Sequence, residues 1–257
     1  MFPLKDNIPT DRTAFVTIAL IALNVIVYFV LQRGGILNGP PDSGVVHYGA
    51  IPYEITHPGK QCAIAGQQLA CEGQPGVSGT APDQPATLLT IFSAMFMHGS
   101  ILHLAGNMLF LWIFGNNVED AMGPVRFIVF YLLGGLAALL LQVAVGPNAA
   151  IPTVGASGAI AAVLGGYILL YPQARVITVI FIVFFFTILE LPALLVLGLW
   201  FLEQVAFGYF DVAQPTGGGG GVAYFAHIGG FVFGLATVKI FANRQKDYLV
   251  PPRYPVY

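Results

Sequence analysis

Apolar residues run along this chain in long blocks, without the regular alternation of a half-buried strand. The first block, Ala14–Leu31, is long enough to cross a bilayer core, for which about 20 residues are needed. A second, Leu88–Phe114, is interrupted by His98-Gly99-Ser100. That break predicts a short interfacial stretch up to Met97, then a helix with Ser100 as its N-cap. Gly115–Pro124, which carries Glu119 and Asp120, reads as a turn. Phe127–Val145 predicts a third helix, Gly146–Val154 a tight link, and Ser157–Tyr171 a fourth helix, short for a span unless it starts below the surface. Val176–Leu189 and Pro192–Phe207 follow, separated by Glu190-Leu191-Pro192. A run of glycines, Gly217–Gly221, precedes the last apolar block, Val222–Phe241. The fold class predicted is all-α, a polytopic membrane protein with a polar leader (1–13), a six-helix membrane domain (14–242, with a long first loop over 34–87) and a polar tail (243–257).

Composition agrees: 56% of residues are hydrophobic and 9% charged, against roughly a quarter charged in a soluble domain. A net charge of −2 with no basic cluster argues against a nucleic-acid partner. The first block has no small-residue cleavage site after it, so it is expected to remain as a helix. With cytoplasmic termini and six crossings, Lys5, Arg12, Arg126, Arg175, Lys239, Arg244, Lys246 and Arg253 fall inside, and only Arg33 and Lys60 outside. That bias supports the orientation and leaves Val176–Leu189 as an interfacial or re-entrant segment. The expected location is the cell membrane, as a multi-pass protein in the lipid bilayer. The first loop then lies outside, where disulfides persist, so Cys62 and Cys71 are candidates for a bridge; the plainer alternative is two free thiols.

Within the apolar blocks a few polar residues carry chemistry. Ser157, in Gly155-Ala156-Ser157-Gly158, is the only serine after Ser100, and His227 stands near the start of the last block. A hydroxyl and an imidazole at matching depth are the parts of a serine nucleophile and its base. Ser157, Ala161 and Gly165 repeat every fourth residue; His227, Gly230 and Gly234 follow at +3 and +7. Such small-residue stripes let two membrane helices approach closely enough for the pair to meet. One turn apart on the second helix, His103 and Asn107 can donate to a developing oxyanion. Alone they read equally as hydrogen-bonding glue between helices. No carboxylate is placed to orient His227. A metal site of His98, His103 and His227 would lack a carboxylate or cysteine ligand and the usual spacing, so neither metal nor cofactor is expected. Asn24 reads as interhelical glue, Trp200 as an ordinary membrane aromatic, Glu203 as a snorkelling residue near the outer end of its span, and Gly106 as a close-packing position.

Together these residues resemble the rhomboid family of intramembrane serine proteases. The likeness rests on His103-x-x-x-Asn107, on Gly155-x-Ser157-Gly158 and on His227-x-x-Gly230-x-x-x-Gly234, in that order and each on its own helix. It implies a six-helix bundle with a water-filled cavity, Ser157 as nucleophile, His227 as base, and His103 and Asn107 as oxyanion donors. It also implies cleavage of peptide bonds in or near transmembrane segments of other proteins, without a cofactor. Two positions depart from patterns common in the family: Ala161 stands where some members stack an aromatic on the histidine, and Leu89-Thr90 where many have a Trp-Arg pair. Two other functions compete. A catalytically silent relative that binds membrane clients would be expected to lack the serine or the histidine, and a small-solute transporter would carry paired repeats and broken helices. The expected partners are single-span membrane proteins as substrates; the sequence does not fix the oligomeric state.

Overall fold

The computed structural model describes residues 2–66, 68–81, 85–182, 185–213 and 222–243. The chain opens with strand β1 (Phe2–Asp6) and helix α1 (Phe15–Ile26), which widens into a π-helical turn over Val27–Leu31. Between them and the second long helix stands a small folded unit: α2 (Asp42–Tyr48), α3 (Pro52–Thr56), and the hairpin β2 (Cys62–Ala65) and β3 (Gln68–Cys71). A Cys62–Cys71 disulfide closes the hairpin, and both cysteines pack with Val46, Ile51 and Tyr53. This segment, read from the sequence as a long loop, therefore has its own core.

Helix α4 (Thr87–Ser93) leads through a short 3-10 turn to α5 (Ile101–Phe110), whose N-cap Ser100 accepts a hydrogen bond from the His103 N–H. Helix α5 does not end at Gly115. It continues through a π turn (Leu111–Gly115) into α6 (Asn116–Met122), making one helix from Ile101 to Met122. The expected turn over Gly115–Pro124 is thus helical almost throughout, and only Gly123, at φ +80°, breaks the chain before α7 (Pro124–Val145). Its acidic residues have another use. Glu119 accepts from the N–H groups of Val16 and Thr17 at 2.9 and 2.7 Å and from the Thr17 hydroxyl at 2.7 Å. A carboxylate from over a hundred residues away thus satisfies orphan donors at the start of α1, which has no side-chain cap of its own. Asp120 accepts from the Asp11 N–H in the same way.

Helix α8 (Ser157–Leu170) is followed by a hairpin, β4 (Arg175–Ile182) and β5 (Phe185–Pro192), and β1 pairs with β4 to make a three-stranded sheet. The described residues of Val176–Leu189 therefore form two antiparallel strands, and the all-α expectation is corrected to a mostly helical fold with, among the described residues, two small sheets. That segment's run of Val, Ile, Thr and Phe favours strands, and the polar leader supplies the third strand. Helix α9 (Ala193–Ala213) starts directly after Pro192 and runs past Phe207, and α10 (Tyr224–Phe241) closes the bundle. Among the described residues four helices are long and apolar enough to cross a membrane: Ile101–Met122, α7, α9 and α10; Phe15–Leu31 and α8 are shorter. The Gly217–Gly221 run and nearly all of the 243–257 tail lie outside the described residues.

Helices α8 and α10 pack backbone to backbone. A Cβ at Gly230 would fall on the carbonyl oxygen of Gly158, one at Gly234 on that of Ala162, and one at Gly165 on that of Phe231. Ala161 lies in the same seam, its Cβ 3.3 Å from where one on Gly230 would stand. By contrast, a Cβ at Gly106 would meet nothing within 4 Å, so this glycine is not a close-packing site.

Candidate functional site

Ser157 is the first residue of α8, and the loop before it is held in place from two sides. Thr153 forms a bridge with Ala50, and the Gly155 N–H donates to the Ala94 carbonyl at 2.9 Å. Gly155 has φ +129°, a conformation that L side chains rarely adopt. A Cβ there would stand 2.8 Å from His103 Nε2 and 3.4 Å from Ser157 Oγ. Only glycine lets the loop, the imidazole of α5 and the hydroxyl of α8 come this close.

His227, in the first turn of α10, presents Nε2 to Ser157 Oγ at 2.8 Å across the glycine seam. Its other nitrogen, Nδ1, lies 2.8 Å from Gln204 Oε1 on α9. The Gln204 amide is itself fixed, its Nε2 donating to the Trp200 carbonyl at 3.2 Å. That leaves Oε1 to accept, so Nδ1 carries the proton and Nε2 is free to take one from the serine. The Trp200 ring lies 5.7 Å from the imidazole, at an interplanar angle of 35°. Gln204 and Trp200 thus do here what neither a carboxylate nor an aromatic at position 161 does, and Trp200 is more than an ordinary membrane aromatic.

Asn107 is buried on α5, with Nδ2 2.9 Å from His98 Nε2. The His98 ring lies 5.0 Å from that of His103, edge to face. His98 precedes α5 and shares no helical face with His103, but the chain bends at Gly99 and Ser100 and brings the two rings together. It is fully buried and anchored through its backbone: Gln32 Nε2 donates to its carbonyl at 3.1 Å, and its N–H donates to Gln32 Oε1 at 2.9 Å. His98 and Gln32 therefore hold the amide of Asn107 in one orientation while its second N–H remains available. The polar break His98-Gly99-Ser100 was the one sequence signal for this. Asn24, expected between helices, is buried against the Tyr131 hydroxyl of α7 and also donates to the Leu20 carbonyl of its own helix. Among the described residues no group of histidine, cysteine and carboxylate side chains could hold a metal ion.

Ser157, His227, His103 and Asn107 all fall inside residues 85–244, the region matched by the Rhomboid domain family profile. Rhomboid protein 1, mitochondrial, of Saccharomyces cerevisiae is 30% identical over 159 residues, covering 60% of this chain and 42% of that protein. Presenilin-associated rhomboid-like protein, mitochondrial, of Homo sapiens is 30% identical over 160 residues, 58% of this chain and 38% of that protein. RHOMBOID-like protein 5 of Arabidopsis thaliana is 27% identical over 166 residues, 64% and 47%. The chain spans less than half the length of these relatives. With the profile matching well over half of its residues, the chain belongs to the rhomboid family.

Proposed function

We propose that this protein is an intramembrane serine endopeptidase that hydrolyses peptide bonds in or near transmembrane segments of single-span membrane proteins. The observation that carries the reading is the 2.8 Å approach of His227 Nε2 to Ser157 Oγ at the meeting of two membrane helices. As Oγ attacks the scissile carbonyl, its proton passes to Nε2 and the carbonyl oxygen becomes an oxyanion. The backbone N–H of Ser157, the ring of His103 and the free N–H of Asn107 are the donors proposed for that charge. Collapse of the intermediate breaks the C–N bond, and Nε2 returns the proton to the leaving amine. Water, activated by the same imidazole, then attacks the acyl-enzyme and frees Ser157. Each step is proton transfer and acyl transfer, so the reaction calls for no cofactor.

The proposed setting is a six-helix bundle whose two shorter apolar helices also lie in the bilayer, with cytoplasmic termini. A cell-membrane location fits the Cys62–Cys71 disulfide in the first loop. Two of the relatives carry mitochondrial names, so an organelle membrane is the competing location.

The test is cleavage of a panel of single-span proteins in proteoliposomes. Ser157→Ala and His227→Ala should each abolish turnover while the protein stays folded, and the double variant should be no worse than either, because the members act as a unit. Sustained turnover by Ser157→Ala would refute the assignment.

A further inference from the structure

Helix α10 begins without a cap of its own. Its N-cap position is Ala223, whose methyl group cannot accept from the first-turn N–H groups. A helix start leaves four such donors unpaired, and a Ser, Thr, Asp or Asn at the N-cap ordinarily takes that of the second or third residue. Here the third residue is Ala226, and its N–H reaches Oε1 of Gln142 on α7 at 3.1 Å. The same N–H lies 3.0 Å from the Ala223 carbonyl, so the bond is shared. A side chain 84 residues away thus supplies the acceptor that Ala223 lacks. The next residue is His227.

Gln142 stands in the last turn of α7, where its carbonyl accepts from the Gly146 N–H at 3.1 Å. Beyond Gly146 runs the segment that leads to Ser157. Beside Gln142 the two helices touch closely: a Cβ at Gly229 would stand 2.8 Å from that of Leu141 and 3.1 Å from the Ala137 carbonyl oxygen. Gly229, Gly230 and Gly234 therefore hold α10 against α7 and α8 from Gly229 onward. In the first turn, 224–227, side-chain hydrogen bonds from neighbouring helices take over: Gln142 takes the backbone and Gln204 the imidazole. The two amides act differently. Gln204 sets which nitrogen of His227 is protonated, and Gln142 sets where the backbone that carries the ring stands. The 2.8 Å contact of His227 with Ser157 weakens steeply as its angle closes, so fraying of this turn is felt there first.

We propose that Gln142 is a positioning residue for the reaction: it caps α10 from α7 and holds His227 in reach of Ser157. This rests on the protease reading, and amide hydrogen exchange tests the cap without cleavage. Gln142→Leu removes the acceptor at similar volume. Its amides over 224–228 should exchange about fivefold faster than those of the wild type, the scale of one lost helix cap. In proteoliposomes its kcat should fall on the order of tenfold, with KM and melting temperature little changed. Two variants should restore activity. Gln142→Glu keeps an acceptor, and a carboxylate is favoured at a helix start. Ala223→Ser, added to Gln142→Leu, gives α10 a cap from its own chain, which would bring nothing back if Gln142 only filled space. Unchanged exchange or unchanged kcat in Gln142→Leu, or a loss that neither variant repairs, would overturn the proposal. A wild-type protein that cleaves nothing would instead overturn the protease reading, and the exchange would still show whether Gln142 caps α10.

Discussion

At the scale of single residues, the proposed chemistry depends on which nitrogen of His227 holds the proton, and a neutral amide fixes that. Gln204 donates to its own helix and accepts from Nδ1–H, so the imidazole faces Ser157 with its basic nitrogen. Gln204→Leu removes the acceptor while keeping the volume roughly constant. It should lower kcat by about 10-fold to 100-fold, part of what a positioned base supplies, with KM and thermal midpoint little changed. Gln204→Glu keeps an acceptor at the same place and should restore much of the loss. A Gln204→Leu protein with wild-type kcat, or one whose loss follows its melting temperature, would reduce Gln204 to packing. The contact between Ser157 and His227 was legible because each sits in a local motif whose spacing survives any rotation of its helix. Gln204 was not. Which face of α9 looks at α10 depends on the rotation of a helix that is apolar nearly all round, and one amide does not encode that angle.

At the scale of elements, Ser157 and His227 meet because α8 and α10 touch through their backbones. Gly230→Ala puts a methyl on the Gly158 carbonyl, so the helices must separate and carry Ser157 and His227 apart. The expected loss is about 3 kcal/mol, the upper range for overpacking, with activity falling more steeply than stability. Gly106→Ala is the control: it meets open space and should change stability by less than about 1 kcal/mol. Thermal melting and cleavage of the two variants, side by side, would separate a seam from a mere abundance of glycine; equal tolerance of both would argue against the seam. Small-residue periodicity made this contact readable from sequence. The β4–β5 hairpin was not readable for the opposite reason. Its residues are apolar on both faces, so the two-residue period that marks a strand is missing, and its length suits a buried helix equally. The continuation of α5 into α6 was hidden because charged residues at an apparent loop were serving the end of another helix.

At the scale of the whole molecule, the chain's first residues are tied to the end of α8 farthest from Ser157. Asp6 is buried and its Oδ2 accepts from Tyr167 Oη and Asn117 Nδ2, both at 2.6 Å, while Tyr171 Oη donates to the Asn117 carbonyl. Together with the pairing of β1 and β4, these bonds close the bundle against the sheet. Burial raises the Asp6 carboxyl from 3.8 to about 6, partly opposed by the Tyr167 hydrogen bond. A raised carboxyl means that the folded protein holds its proton more tightly than the unfolded chain. The resulting stabilisation is complete below about pH 4 and is lost as pH rises through about 6, a fall on the order of 3 kcal/mol. Asp6→Asn cannot titrate and keeps a hydrogen-bonding side chain. Its melting temperature should therefore lose this descent between pH 4 and 6, and at pH 7 it should equal or exceed that of the wild type. Ten residues of helix, about 15 Å, separate Tyr167 from Ser157, so cleavage at pH 7 should be unchanged. The measurement is a set of melting curves in detergent across that pH range. A wild-type midpoint that rises between pH 4 and 6, with Asp6→Asn flat, would mean that the carboxylate is stabilised in the fold and that the tether is strongest when charged.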